Sequence, residues 1–293
     1  MAKHTSFRVG GPAEALFEPE NVEQLKAFVT RAFEKGLSYR VMGGGTNLLI
    51  PDKGIRGVVV KVSKGMNRIR AKERMESLVR VTALAGTRLQ TLCRYAIRNG
   101  FKGLNFALGI PGTVGGAIRM NAGTGQGAMD QVMDAIEILK PDGRTEKVYR
   151  KKLNYSYRAL SLENDGNTGA CAPPVILSGD FCLGYADPKD LKAEAEIISG
   201  SRRKREPTRF PSAGCFFKNP GPDTPAGSLI DQAGLKGKRI GDAQISETHA
   251  NYIINRRRAT AEDILKLSRL AQSVVQQKFN IELEPEVKVF GET

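Results

Sequence analysis

Three positions carry side chains suited to bond-making chemistry. Cys215 lies in Ser-Ala-Gly-Cys-Phe-Phe-Lys-Asn (residues 212–219), Arg158 closes Asn-Tyr-Ser-Tyr-Arg, and Glu286 stands in Leu-Glu-Pro-Glu-Val. A thiol can give up a proton, a guanidinium stays charged and grips a carboxylate at two points, and a carboxyl group takes the charge state that its neighbours favour. Each also has an ordinary reading: a buried structural thiol, a surface arginine, and carboxylates exposed on a terminal strand. His249 reads equally as a ligand-facing or a satisfied surface residue.

Two glycine-dense segments could hold an anion. One is Gly43, Gly44, Gly45, Thr46 and Asn47; the other runs Gly-Ile-Pro-Gly-Thr-Val-Gly-Gly-Ala over 109–117. Glycine admits positive φ and lets backbone N–H groups approach a phosphate closely. Neither segment fits the Rossmann GxGxxG or the GxxxxGK[ST] pattern. A single such loop reads as a tight turn; two in one basic chain point toward a dinucleotide.

Lys and Arg number 45 against 31 Asp and Glu, a net charge of +14. The basic clusters at 150–152, 202–205 and 256–258 have no interleaved rings, aromatics make up 6% and Trp is missing, so solvated faces are the better reading than nucleic-acid binding. His4 and His249 are the two histidines, with no HExxH motif, and the four cysteines (Cys93, Cys171, Cys182, Cys215) form no CxxC pair. That argues against a metal site and a disulfide framework. The chain has no apolar run near the roughly 18 residues of a membrane span, and MAKHTSFRVGG has no apolar signal core. A cytoplasmic enzyme handling acidic molecules is the expectation.

The elements that must position these residues are legible in part. Asn21 with Gln24 resembles a capping box before an apolar stripe of Val22, Leu25, Phe28, Val29 and Phe33, and Gly36 stands at the C-terminal cap. Strands are expected at 39–42, 58–62 and 78–84. Thr87 is placed to cap a helix that ends at Gly100, and 103–127 reads as loop. A hairpin over 132–140 and 144–149 turns at Asp142-Gly143, a strand spans 175–183, and Pro188 starts a charged helix toward Arg203. Prolines punctuate a loop region from 207, Thr260 with Asp263 opens the last helix, and 281–290 alternates like an end strand.

Taken together, the segments TSFRVGGPA, GGGTNLL, GIPGTVGGAIRMNAG, NYSYR, SAGCFFKNP, AGSLIDQAGLKG, GDAQISETHANYIIN and LEPEV resemble, in order and over nearly the whole chain, the UDP-N-acetylenolpyruvoylglucosamine reductase family. The resemblance implies an α+β protein with the FAD-binding fold of the vanillyl-alcohol oxidase type. Two α/β FAD-binding subdomains (1–62 and 63–200) would precede a C-terminal substrate-binding α+β domain (201–293), whose last strand carries Glu286 back to the active site. It implies bound FAD, NADPH as hydride donor, a UDP-linked sugar as substrate, and a place in peptidoglycan precursor synthesis. The short stretch between Arg158 and Val175 matches the family's second type, without an extra tyrosine loop. No nucleic-acid or membrane partner is implied, and a monomer is expected.

By the same resemblance Arg158, Cys215 and Glu286 are catalytic. Gly43, Gly44, Gly45, Thr46, Asn47, Pro111, Gly112, Gly115, Gly116, Ala117 and Asn121 would bind FAD, the glycine loops through their N–H groups. Tyr157, Arg205, Lys218, Asn219 and His249 would bind substrate. Cys215 replaces the family's usual serine, and a thiol of reference pKa about 8.5 yields its proton more readily than an alcohol. Leu160, Arg119 and Arg257 also depart from the family pattern, in the substrate loops. Two alternatives are kept: an FAD oxidase of the same fold acting on another small molecule, and a non-catalytic basic nucleic-acid binder.

Overall fold

The computed structural model describes residues 1–74, 76–162 and 173–291. Cys171, and most of the short stretch after Arg158, lie outside the described residues. The chain forms two compact units. One joins Met1–Glu14, Gly45–Arg56 and Arg202–Thr293; the other joins Ala15–Gly44 and Gly57–Ser201. The linear segment 1–62 is therefore shared between them, and each unit has its own hydrophobic core.

In the second unit, helix α1 (Val22–Glu34) starts where the Asn21 side chain accepts from the Gln24 N–H at 2.8 Å. The Gln24 side chain accepts from the Glu20 N–H instead of closing a box on Asn21. Leu25, Val29 and Ala32 are the buried positions, while Phe33 lies outside the stripe, 46% exposed. Gly36, at φ +61°, ends the helix, and the Leu37 N–H reaches back to the Ala32 carbonyl. Strand Tyr39–Met42 then runs parallel to strand Ile55–Lys61.

The larger sheet is antiparallel, in the order Thr145–Tyr149, Met133–Leu139, Val175–Tyr185, Leu78–Leu84, Ile69–Arg74. The expected hairpin turns at Gly143, φ +83°. Helix α2 (Leu89–Arg98) buries Leu89, Leu92, Cys93 and Ala96. Its N-cap is Arg88 and not Thr87, whose hydroxyl donates to the Arg68 carbonyl instead. Burial pushes the Cys93 thiol up to about 12, as expected of an inert packed cysteine. The stretch expected as loop contains a short helix α3 (Val114–Arg119), capped by Thr113. Glycines at its first turn hid it from a reading by propensity. Helix α4 (Pro188–Arg205) begins as expected, with the Asp187 side chain accepting from the Lys189 N–H at 2.7 Å.

The first unit holds a four-stranded antiparallel sheet, Ser212–Cys215, Tyr252–Asn255, Ala243–Ile245 and Arg239–Ile240. With the short helix α5 (Ala226–Gln232), these strands occupy the region read as proline-punctuated loop. Helix α6 (Ala261–Phe279) packs on this sheet through Ile264, Leu267, Ala271 and Val275. Thr260 and Asp263 form the expected capping box. The Asp52 carboxylate adds a second cap, accepting from the N–H groups of Ala261 at 2.8 Å and Glu262 at 3.1 Å. Of the expected end strand only Lys288–Val289 pairs regularly, parallel to Leu48–Leu49. Residues 284–286 are extended but interrupted, because Pro285 has no N–H for a continuous ladder.

Candidate active site

In the first unit, Cys215 ends a strand whose register shifts between Ser212 and Cys215, with Gly214 at φ +82°. A bulge of this kind re-aims the side chain that follows it. Cys215 pairs with Tyr252 on the neighbouring strand. The chain then runs between two fixed partners. On one side the Phe216 N–H donates to the Asn251 carbonyl at 2.7 Å. On the other, the Glu286 N–H donates to the Phe216 carbonyl at 2.8 Å, and the Lys218 N–H donates to the Glu284 carbonyl at 2.8 Å. Phe216 and Phe217 are buried and anchor the segment. Cys215 and Glu286, 71 positions apart in sequence (286 minus 215), are thus tied through one residue, Phe216.

A cavity of about 310 Å³ lies beside Cys215, lined also by Asn219, Ser228, Asp231, Lys236 and His249. His249 is turned by a hydrogen bond from the Asn251 N–H to its Nδ1 at 3.3 Å, and its ring meets Tyr252 edge-on at 4.9 Å. Burial, then the positive charge of Arg205, hold its pKa below the usual value, which favours the neutral imidazole. Behind Cys215, burial raises the Tyr252 phenol, which is hydrogen-bonded to Glu206. Burial also raises the Glu206 carboxyl, against the pull of Arg202, whose guanidinium lies 2.6 Å from it.

Of the expected substrate residues in this unit, Asn219 and His249 line the cavity. The Asn219 side-chain oxygen also accepts from the Ala226 N–H at 3.1 Å and so caps α5. Lys218 is paired with Glu284 at 2.5 Å, and Arg205 is exposed at the end of α4. Asp231 and Lys236, themselves 2.5 Å apart, also line the cavity; their only signal in the sequence is the AGSLIDQAGLKG segment that holds them both.

In the second unit, Tyr157 and Arg158 form the turn of a hairpin between Asn154–Ser156 and Ala159–Ser161. Arg158 adopts φ +58°, and its guanidinium lies 5.0 Å from the Tyr157 ring centre. A non-glycine residue in this region carries a conformational cost, and such residues gather at functional sites. Asn121, buried and at φ +40°, supports the hairpin: its side chain donates to the Ser156 carbonyl at 3.0 Å and accepts from the Asp130 N–H at 3.0 Å. Both ends of its amide thus act within the protein.

The glycine segments split between the units. Gly43 and Gly44 belong to the second, with Pro111, Gly112, Gly115, Gly116 and Ala117. A Cβ at Gly43 would lie 2.2 Å from Thr113 Oγ1, so the two segments approach each other as only glycine permits. Gly112 has φ +120°. The N–H groups of Val114, Gly115, Gly116 and Ala117 are engaged within the chain, by Thr87, Ala85 and Thr113. Gly115 is packed closely, since a Cβ there would lie 2.8 Å from the Ala85 Cβ, whereas a Cβ at Gly116 would meet Thr113 Oγ1 only at 3.5 Å. Gly45, at φ +64°, Thr46 and Asn47 belong to the first unit, where Ser6 donates to the Gly45 and Thr46 carbonyls.

A family model described as FAD binding domain matches residues 13–149, and one described as UDP-N-acetylenolpyruvoylglucosamine reductase, C-terminal domain, matches residues 206–290. A UDP-N-acetylenolpyruvoylglucosamine reductase of Desulfosudis oleivorans is 46% identical over 292 residues, covering 100% of this chain and 93% of that one. The chain belongs to the UDP-N-acetylenolpyruvoylglucosamine reductase family. The reductase of Heliobacterium modesticaldum is 38% identical over 293 residues, covering 100% of this chain and 90% of the relative. The crystal structure of the Thermus caldophilus reductase superposes with a TM-score of 0.78 at 35% identity, over 98% of this chain and 96% of that one. The reductase family and the FAD-binding domain are as the sequence motifs implied, and the mixed helices and sheets of both units accord with them.

Proposed function

We propose that this chain reduces UDP-N-acetylglucosamine enolpyruvate to UDP-N-acetylmuramate with NADPH, using bound FAD, as a step in peptidoglycan precursor synthesis. The observation that carries the reading is 46% identity across the full chain to a relative named for this reduction. The residues present fit the cofactor. In the second unit, Gly112 at φ +120° supplies backbone without a side chain, as a pyrophosphate cradle requires, and Gly43 lets its segment pack against the neighbouring Thr113. When bound, FAD supplies hydride transfer between NADPH and the enolpyruvyl carbon C3.

The chain's own residues supply binding, charge and a proton. Arg158 is a permanent cation on a strained turn, and its planar fork suits the substrate carboxylate and the charge that builds beside it. Cys215 faces the cavity and gives its proton to C2. Glu286 carries a proton or is matched by a cation, since a bare carboxylate there would oppose the developing anion. Asn219, Lys236 and neutral His249 offer donors to the sugar nucleotide. Tyr157, Arg205 and Lys218 serve the same substrate, and Gly43 to Asn47 with Pro111 to Ala117 serve FAD.

The protein works in the cytoplasm as a monomer in this reading. Among the described residues no helix is long and apolar enough to cross a membrane. Anaerobic absorbance spectroscopy tests the proposal. The purified protein should show an oxidised-flavin spectrum that NADPH bleaches and the enolpyruvyl sugar nucleotide restores. A colourless protein that FAD cannot reconstitute, or bleached flavin that the sugar nucleotide leaves bleached, would sink it.

A further inference from the structure

We infer that Asn251 is a positioning residue that sets Cys215, His249 and Glu286 in one arrangement, an inference that rests on the roles proposed above for Cys215 and Glu286. Asn251 is 2% exposed and uses every polar group it has. Its side-chain oxygen accepts from the Phe217 N–H at 2.9 Å, and its side-chain nitrogen donates to the Phe217 carbonyl at 2.8 Å. Its main-chain carbonyl accepts from the Phe216 N–H at 2.7 Å, and its main-chain N–H donates to His249 Nδ1 at 3.3 Å.

These bonds reach the three reactive positions by short routes. Cys215 immediately precedes the pair of residues that Asn251 grips. Glu286 is bonded to the carbonyl of Phe216, so a shift of that peptide moves the Cys215 and Glu286 backbones relative to each other. A neutral imidazole that accepts at Nδ1 carries its proton on Nε2, so the Asn251 N–H also selects the tautomer of His249.

Asparagine suits this place because only a side-chain amide offers a donor and an acceptor at matching reach. The change Asn251→Asp would turn an oxygen toward the Phe217 carbonyl, and Asn251→Ala would leave a buried N–H and C=O of Phe217 without partners.

The test is stopped-flow measurement of both half-reactions in Asn251→Ala, Asn251→Asp, Cys215→Ala and the double variant Asn251→Ala/Cys215→Ala. Flavin bleaching by NADPH should stay at the parent's rate in each. Flavin reoxidation by the enolpyruvyl sugar nucleotide should slow on the order of 10²-fold in Asn251→Ala, the scale of a misplaced reacting group. The double variant should be slower than Cys215→Ala by less than the full loss seen in Asn251→Ala, because the part of Asn251 that acts through Cys215 is already gone. Should Asn251→Ala fail to hold flavin, the near-isosteric Asn251→Asp takes its place in every comparison. In flavin-free protein, Cys215 of the Asn251 variant should be alkylated faster by iodoacetamide, followed by peptide mass. Parental reoxidation and parental alkylation in the Asn251 variants, or losses that multiply in the double variant, would overturn the inference alone. Parental reoxidation in Cys215→Ala would overturn the donor assignment, and the part of Asn251 with it.

Discussion

The side-chain amide of Asn47 donates to the main-chain carbonyl of Glu286 at 3.1 Å, and the Lys288 N–H donates back to the Asn47 carbonyl at 3.0 Å. The end of a glycine segment expected to serve the cofactor therefore also fixes the segment that carries a proposed catalytic carboxyl. Asn47→Ala removes one of the two bonds, a net loss of about 1 kcal/mol. It should slow flavin reoxidation by substrate while leaving bleaching by NADPH unchanged. Lost flavin, with parental reoxidation in the fraction still loaded, would assign Asn47 to the cofactor instead.

Gly43 and Gly116 separate two uses of glycine. A methyl at Gly43 would meet Thr113 Oγ1 at 2.2 Å, whereas a methyl at Gly116 would lie in ordinary contact at 3.5 Å. Gly43→Ala should be purified with little flavin and an intact far-ultraviolet spectrum; Gly116→Ala should retain flavin. Flavin absorbance per mole of protein is the measurement, and equal retention in the two variants would remove the support for a close approach at Gly43.

The sequence displayed its helices best where a cap and a period agreed. Asn21, Thr260 with Asp263, and Asp187 before Pro188 all mark observed starts. Helix α3 stayed hidden because Gly115 and Gly116 are poor helix formers, and its start is held by tertiary bonds to Ala85 and Thr87. The strands between 212 and 255 are three- and four-residue or shorter pieces among prolines and glycines, too short for a period to show. Asn251 lies inside the GDAQISETHANYIIN segment, yet its side chain reads as any polar residue until its contacts with Phe217 are seen. Asp52 is the clearest case, since a cap 209 residues from its helix leaves no local signal.

Asp52 caps α6 with both carboxylate oxygens and places negative charge at the helix N-terminus. Asp52→Ala should destabilise the protein by about 1–2 kcal/mol, and Asp52→Asn by less, because the amide keeps one acceptor and loses the charge. Thermal or urea denaturation measures this. No loss in Asp52→Ala would mean that the Thr260 and Asp263 box suffices alone.

His249 should make the fold sensitive to acid. Its pKa is held below the ordinary value of 6.5 by burial first and by Arg205 next, so the unfolded chain binds the proton more readily. Stability is therefore full above about pH 6.5 and falls as the pH drops from there toward the lower folded value. Glu206 works oppositely: its pKa is raised from 4.5, so its contribution weakens as the pH climbs above 4.5. His249→Gln should flatten the loss of stability that sets in as the pH falls below about 6.5. An unchanged slope in urea denaturation across that window would show that the imidazole does not titrate with unfolding.

Arg158 sets stability against activity. Its φ of +58° costs an ordinary residue about 1–2 kcal/mol, and glycine escapes that cost. Arg158→Gly should accordingly melt at or above the parent's temperature, bleach with NADPH at the parent's rate, and lose reoxidation by the enolpyruvyl sugar nucleotide. Arg158→Lys keeps both the strained backbone and the charge but lacks the planar fork, so it should melt like the parent and still reoxidise slowly. The pair of variants separates the turn from the guanidinium. Equal losses in both half-reactions would place Arg158 where both substrates bind. Parental reoxidation in Arg158→Lys would reduce its part to a positive charge.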